Sequence, residues 1–141
     1  MEDCVFCKIV SGEVPCFKIF EDERVLGFAD INPISKGHCL VIPKAHAENL
    51  LEITTDDLFA VHRAAKGISL ALKEALGAGG IACVQLNGRL VNQVVMHYHL
   101  HLIPRVEGDP PLPVCEWEPG KVDFDTIEKT ALRISSAVRR Q

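Results

Sequence analysis

The sequence predicts an α+β fold, in which a five-stranded antiparallel sheet carries a packed long helix and an additional helix lies at the C-terminus. Three observations predict it. Short β-prone runs flank one long stretch of helical periodicity. Of the 141 residues 48% are hydrophobic, enough for one real core. The segment Gly108-Asp109-Pro110-Pro111-Leu112-Pro113 breaks regular structure before a last periodic stretch.

In chain order, Phe17 to Glu21, Val25 to Ile31 and His38 to Ile42 read as strands of a meander, with turns marked by Asp22 and Asn32-Pro33. Leu58, Val61, Ala65, Ile68, Leu72 and Leu76 then recur at spacings of three and four, the signature of an amphipathic helix. Thr54 or Thr55 is available to cap its start, and Gly77 to stop it. Ile81 to Leu86 and Val94 to Ile103 read as two more strands, joined by the loop Asn87 to Gln93. Phe124, Ile127, Ala131, Ile134 and Val138 form a second helical stripe, with Asp125 and Glu128 placed for a capping box. That apolar stripe must cover either this body or a second subunit. Residues 1–107 are expected to form the catalytic body, and 108–141 a proline-rich segment and helix within the same single domain.

The formal charge of −4 provides no global basic field, which argues against extended nucleic acid as a partner. The acidic start Met1-Glu2-Asp3-Cys4 lacks a secretory pattern, and no apolar run approaches a membrane span. A soluble, cytoplasmic protein with no membrane partner is therefore expected. The six cysteines are spread through a chain with its own core, so they are read as reduced thiols rather than disulfide staples.

The chemistry concentrates in Met96-His97-Tyr98-His99-Leu100-His101-Leu102-Ile103-Pro104. In a strand, side chains alternate faces, so His97, His99 and His101 would line one side while Met96, Tyr98, Leu100 and Leu102 pack on the other. A row of imidazoles can attack phosphorus and manage a proton near neutral pH; it can equally bind metal, or be only a polar face. Cys4-Val5-Phe6-Cys7 has the two-residue gap that brings two thiolates to one ion, and is also compatible with a redox pair or two buried thiols. Cys16, Cys39, Cys83 and Cys115 fall in or beside apolar runs and read as small buried hydrophobes. His62 sits on the long helix and reads as solvent-facing or packing.

The segment from His97 to His101, together with Gly37-His38-Cys39-Leu40-Val41-Ile42-Pro43-Lys44, resembles the two signature strands of the histidine-triad (HIT) family, and the resemblance runs from about Cys4 to Arg105. It implies a HIT-like fold and a nucleotide hydrolase or transferase. His99 would form a covalent nucleotidyl intermediate, His101 would contact the phosphate and leaving group, and His38 would stand nearby. It also implies Asp30 on the ribose hydroxyls, and Val5, Phe6, Ile9, Val14, Phe28 and Ile31 around the base. Ile9 and Val14 are equally readable as core. Asn87 and Gln93 match the polar residues on the phosphate side, whose amides can donate to developing charge, although Asn87-Gly88 also reads as a plain turn.

Two positions depart from the family. Asn92 stands where a glycine usually precedes the glutamine, and Val94 replaces a serine or threonine, leaving only its backbone N–H to face phosphate. The resemblance to the zinc-bearing branch implies that His46 and His97 complete a structural zinc site with Cys4 and Cys7, leaving His99 and His101 for chemistry. It implies an adenosine 5'-monophosphoramidase-like hydrolase acting on small purine nucleotides. The alternatives are a dinucleoside polyphosphate hydrolase and a non-catalytic nucleotide-binding module. A homodimer is expected, since exposed sheet edges favour pairing, and Trp117 would then reach the neighbour's site.

Overall fold

The computed structural model describes residues 4–112 and 123–138. Chain contacts divide it into two compact units, Met1–Asp109 and Pro110–Gln141. The first contains helix α1 (Val5–Ser11), strands β1 (Lys18–Glu21), β2 (Val25–Ala29) and β3 (Cys39–Pro43), helix α2 (Thr55–Leu76), and strands β4 (Gly80–Val84) and β5 (Leu100–Arg105). The strands form the one five-stranded antiparallel sheet that the sequence predicts, and their order in it is β1-β2-β3-β5-β4.

Alternation along the strands gives the sheet two faces. Val25, Cys39, Val41, Leu100 and Leu102 pack with Val61, Ala64, Ala65, Ile68 and Leu72 of α2. Leu26, Phe28, Leu40 and Ile42 turn the other way and pack with Phe6 of α1, bordered by Ile9, Val10, Cys16 and Val95. Helix α2 is capped by Thr54, which accepts from the Asp57 amide, and ends at Gly77 in the left-handed conformation. Buried Asp57 is held by Arg24 at 2.6 Å, which fastens the start of α2 to β2.

Several expectations are corrected. α1 is not foreseen by the strand reading, because its seven residues follow an N-cap, Cys4, whose side chain makes no capping bond. β4 stops at Val84 rather than Leu86. β5 begins at Leu100, not Val94. The ladder with β3 runs only from Cys39↔Leu102 to Val41↔Leu100. Beyond it the Tyr98 amide donates to Ala47 O at 2.6 Å, and the His97 ring, not a ladder amide, bonds Pro43 O. His97 and His99 therefore precede the strand, and only His101 lies within it; Tyr98, Leu100 and Leu102 still face α2 as alternation requires, but Met96, ahead of the strand, is only half-buried and outside that core.

Cys39 is fully buried, and burial pushes its thiol up to about 11, but Cys16 is half-buried and Cys83 is exposed on edge strand β4, contrary to the reading of all as core. His62 is exposed, with Nε2 3.4 Å from the Tyr98 hydroxyl.

The second unit contains helix α3 (Phe124–Ala137), none of whose residues is buried. Its cap is Asp123, which accepts from the Thr126 amide and hydroxyl, and not the Asp125 and Glu128 pair. Cys115 and Trp117 lie outside the described residues. Among the described residues no helix is long and apolar enough to cross a membrane.

Candidate functional site

Five imidazoles and two thiols gather on the sheet face opposite α2, beneath α1. His99 is 6% exposed and sits with its ring centroid 5.0 Å from that of His101 and 5.3 Å from that of Phe6. Its Nδ1 lies 2.6 Å from the carbonyl oxygen of His97. A carbonyl can only accept, so Nδ1 carries the ring proton and Nε2 keeps its lone pair. Among the described residues nothing bonds that Nε2, and no fully buried side-chain nitrogen lacks a partner, so the lone pair opens toward solvent. Burial also pushes the His99 pKa below the usual histidine value, which keeps the ring neutral.

His101 projects from β5 beside it, and its Nδ1 is 2.9 Å from Nε2 of His38, which precedes β3. Nδ1 of His38 accepts from the Ile34 amide at 3.1 Å. Asp30, after β2, completes the cluster, with Oδ2 at 3.5 Å from His38 Nε2 and 4.0 Å from His101 Nδ1, and with Oδ1 accepting from the Asn32 amide. Burial lowers the pKa of His38 and, helped by the neighbouring His99 and His38, takes His101 down to about 4.

Of the apolar residues expected at a base, Phe6, Ile9 and Phe28 come together, with Phe6 and Phe28 edge-on at 5.6 Å. Phe6 and Phe28 are 7% and 4% exposed, so they form the packed floor of the cluster. Val14 is half-buried, while Val5 and Ile31 keep apolar area open to solvent.

The loop before the histidines is organised differently from the sequence reading. Gln93 is 3% exposed, and its amide hydrogens go to Glu48 O at 2.6 Å and Val95 O at 3.0 Å, while its Oε1 accepts from the Gly88 amide. With both hydrogens committed, Gln93 braces the loop and has none left for a phosphate oxygen. Asn87 takes the Leu50 amide on Oδ1 and gives one Nδ2 hydrogen to Gln85 Oε1, which leaves its second hydrogen able to donate. Val94 is exposed. Asn92 has φ 63°, the only positive value at a non-glycine residue among those described. Its left-handed backbone explains both the glycine usual at this position and the tolerance of asparagine.

The second cluster comprises Cys4, Cys7, His46 and His97, whose ligand atoms all lie within 4.8 Å of one another. His97 Nε2 donates to Pro43 O at 2.9 Å, which leaves Nδ1 as a lone pair aimed at the thiols. Nδ1 of His97 is 3.5 Å from Cys4 Sγ, 3.6 Å from Cys7 Sγ and 3.3 Å from His46 Nδ1, and Cys7 Sγ is 3.3 Å from His46 Nδ1. A tetrahedral ion with zinc-like bonds to nitrogen and sulfur sets its ligand atoms about 3.3–3.8 Å apart, so these residues fit such an ion. Burial takes the His97 ring down to about 4, as suits a neutral ligand.

Three groups that shape the site carry no side-chain signal in sequence: the carbonyls of Pro43 and His97 and the amide of Ile34.

The model of the HIT domain family matches residues 11–108. An adenosine 5'-monophosphoramidase of Candida albicans is 38% identical over 130 residues, spanning 89% of this chain and 85% of that protein. An adenylylsulfatase of Arabidopsis thaliana is 39% identical over 98% of this chain and 68% of its own length. The crystal structure of a Zn-bound histidine triad family protein from Mycobacterium smegmatis superposes with a TM-score of 0.75 at 33% identity, covering 97% of this chain and 99% of that one.

Proposed function

The chain belongs to the HIT domain family and is one of its nucleotide hydrolases, and on that premise we propose that it cleaves small purine nucleotides at the α-phosphate through a covalent nucleotidyl-His99 intermediate. The observation that supports this most directly is the 2.6 Å bond from His99 Nδ1–H to the His97 carbonyl, which leaves a neutral ring with Nε2 as nucleophile. Nε2 attacks phosphorus and displaces the leaving group; water then attacks the same phosphorus and frees Nε2. Dividing the reaction gives two easier displacements in place of one in which water must be organised and activated at once.

In this reading Asp30 holds the ribose hydroxyls, and Val5, Phe6, Ile9, Val14, Phe28 and Ile31 enclose the base. The Val94 amide and the His101 ring meet the phosphate, with Asn87 and Gln93 acting through the loop they brace. Cys4, Cys7, His46 and His97 hold zinc, which supplies structural cross-linking rather than chemistry at phosphorus. The substrate is of the adenosine phosphoramidate type, a reading supported by the adenosine 5'-monophosphoramidase of Candida albicans. The protein works as a cytoplasmic homodimer, with residues 108–141 part of the same domain as the 1–107 body. A second reading, in which the displaced group is an oxyanion such as sulfate, is favoured by the Arabidopsis relative.

The test is to quench wild-type enzyme during turnover and map the nucleotidyl group by mass spectrometry, alongside His99→Asn. The label belongs on the peptide containing His99, and the variant loses at least about a thousandfold in kcat while still binding nucleotide. A label on another residue, or near-normal turnover by the variant, overturns the mechanism.

A further inference from the structure

We infer that His38 is a positioning residue that locks His101 as an Nε2–H hydrogen-bond donor, and so bars His101 from supplying a proton to the leaving group. The inference rests on the reading of His99 as nucleophile and concerns what its neighbour does.

The bonds are read outward from the main chain. The Ile34 amide can only donate, so Nδ1 of His38 is an acceptor and carries no proton. The proton of a neutral His38 is then on Nε2, which faces His101 Nδ1 at 2.9 Å and Asp30 Oδ2 at 3.5 Å. Nδ1 of His101 must accept, so His101 carries its proton on Nε2, the nitrogen that no described residue bonds. Protonating either ring would set two N–H groups against each other, at Ile34 or between the rings. The chain of bonds therefore holds both imidazoles neutral by geometry.

A neutral His101 that gave up its Nε2 proton would become an imidazolate. It cannot be refilled through His38, because that ring would become an imidazolate in turn and the amide behind it is no acid. His101 can therefore meet negative charge on phosphate oxygens but cannot act as a net general acid. In the first displacement the His99 Nε2–P bond forms and the bond from P to the leaving group breaks. The electron pair goes to the leaving atom, which takes any proton it needs from water. In the second, the water oxygen bonds to phosphorus, the P–Nε2 bond breaks with its pair returning to Nε2, and the surplus proton passes to solvent.

The experiment uses two adenosine 5'-phosphate derivatives. One is an anilide, whose nitrogen needs a proton to leave; the other is a p-nitrophenyl ester, whose oxygen leaves without one. His101→Gln keeps an N–H donor near the same place but has no transferable proton. We expect kcat/KM to fall for both substrates by similar factors, within about threefold of each other. A loss on the anilide about a hundredfold greater than on the ester makes His101 the acid and overturns the inference.

Nitrogen-15 NMR of the wild-type rings at neutral pH provides a readout independent of turnover. His101 should carry its proton on Nε2, retain it there in His38→Gln, and show mixed tautomers in His38→Leu. A wild-type His101 protonated on Nδ1, or on both nitrogens, refutes the lock even if His38→Leu does not fold. Failure of the His99 adduct with an Nε2–H His101 would overturn the nucleophile and leave the lock standing.

Discussion

The two histidine clusters flanking His99 use the same side chain in opposite ways. His97 and His99 each place an N–H on a main-chain carbonyl, from Pro43 and from His97 itself, and so present the other nitrogen as a bare lone pair. His38 instead receives a main-chain amide, from Ile34, and passes the opposite polarity to His101. The difference teaches that the backbone group behind each ring, more than the histidine spacing, divides lone-pair donors for metal or phosphorus from a hydrogen-bond donor for charge.

Removing metal tests the carbonyl-backed side and should have the largest effect on stability. Four ligand atoms from α1, the segment after β3 and the segment before β5 converge on one point. An ion there links three parts of the chain that are otherwise joined by packing. Protein prepared without chelator should contain about one zinc per chain. Stripping it should lower Tm by on the order of 10 °C, as expected when a ligand present far above its Kd is withdrawn from the native state. Cys7→Ser should abolish that dependence on metal. Zinc near zero together with a Tm that ignores chelator would return His97 to the list of free imidazoles.

Acid tests the amide-backed side. The unfolded His101 takes a proton near 6.5, whereas the buried ring resists until about 4. Between those values the unfolded state binds more protons, so stability is lost as pH falls from 6.5 toward 4 and is complete above 6.5. For His101 alone the loss by pH 5 is on the order of 2 kcal/mol. Urea unfolding at pH 7 and pH 5 should show a smaller drop for His101→Gln than for wild type. Equal drops would mean that burial does not hold this ring neutral.

What could be read from the sequence follows the same division. Side-chain periodicity exposed α2 from cap to stop, and alternation correctly sent Tyr98, Leu100 and Leu102 to the core. Spacing singled out Cys4, Cys7 and the row His97, His99 and His101, while Asp30, His38 and His46 were named only through the resemblance to the family. It failed where main-chain partners decide. The start of β5 depends on where β3 stops pairing, and Pro43, which has no amide to offer, turns its carbonyl to the His97 ring. Helix α1 is held by the packing of Phe6, and although Gly12 closes its end, no N-terminal side-chain cap announces its start. Gln93 was singled out through the resemblance to the family, but its commitment to Glu48 and Val95 required knowing which carbonyls approach it.

The smallest expected effect sharpens the contrast by asking whether the loop bearing Gln93 is held by its backbone or by side-chain chemistry at Asn92. Asn92 closes the 3₁₀ turn Arg89–Val91 in the left-handed region, its amide donating to Arg89 O at 3.0 Å, while its side chain is exposed. If only the backbone conformation matters, glycine serves as well as asparagine, and Asn92→Gly should change stability by no more than about 0.5 kcal/mol with KM unaltered. Alanine has a Cβ that crowds the left-handed conformation and no polar side chain to compensate, so Asn92→Ala should cost about 1 kcal/mol. Because the same turn sets the Gly88 amide on Gln93 Oε1, and the proposed function puts the neighbouring Val94 amide on phosphate, the alanine variant should also raise KM more than it lowers kcat. Urea midpoints and steady-state kinetics of the two variants distinguish the cases. A glycine variant as impaired as the alanine one would assign the Asn92 side chain a role of its own at the phosphate.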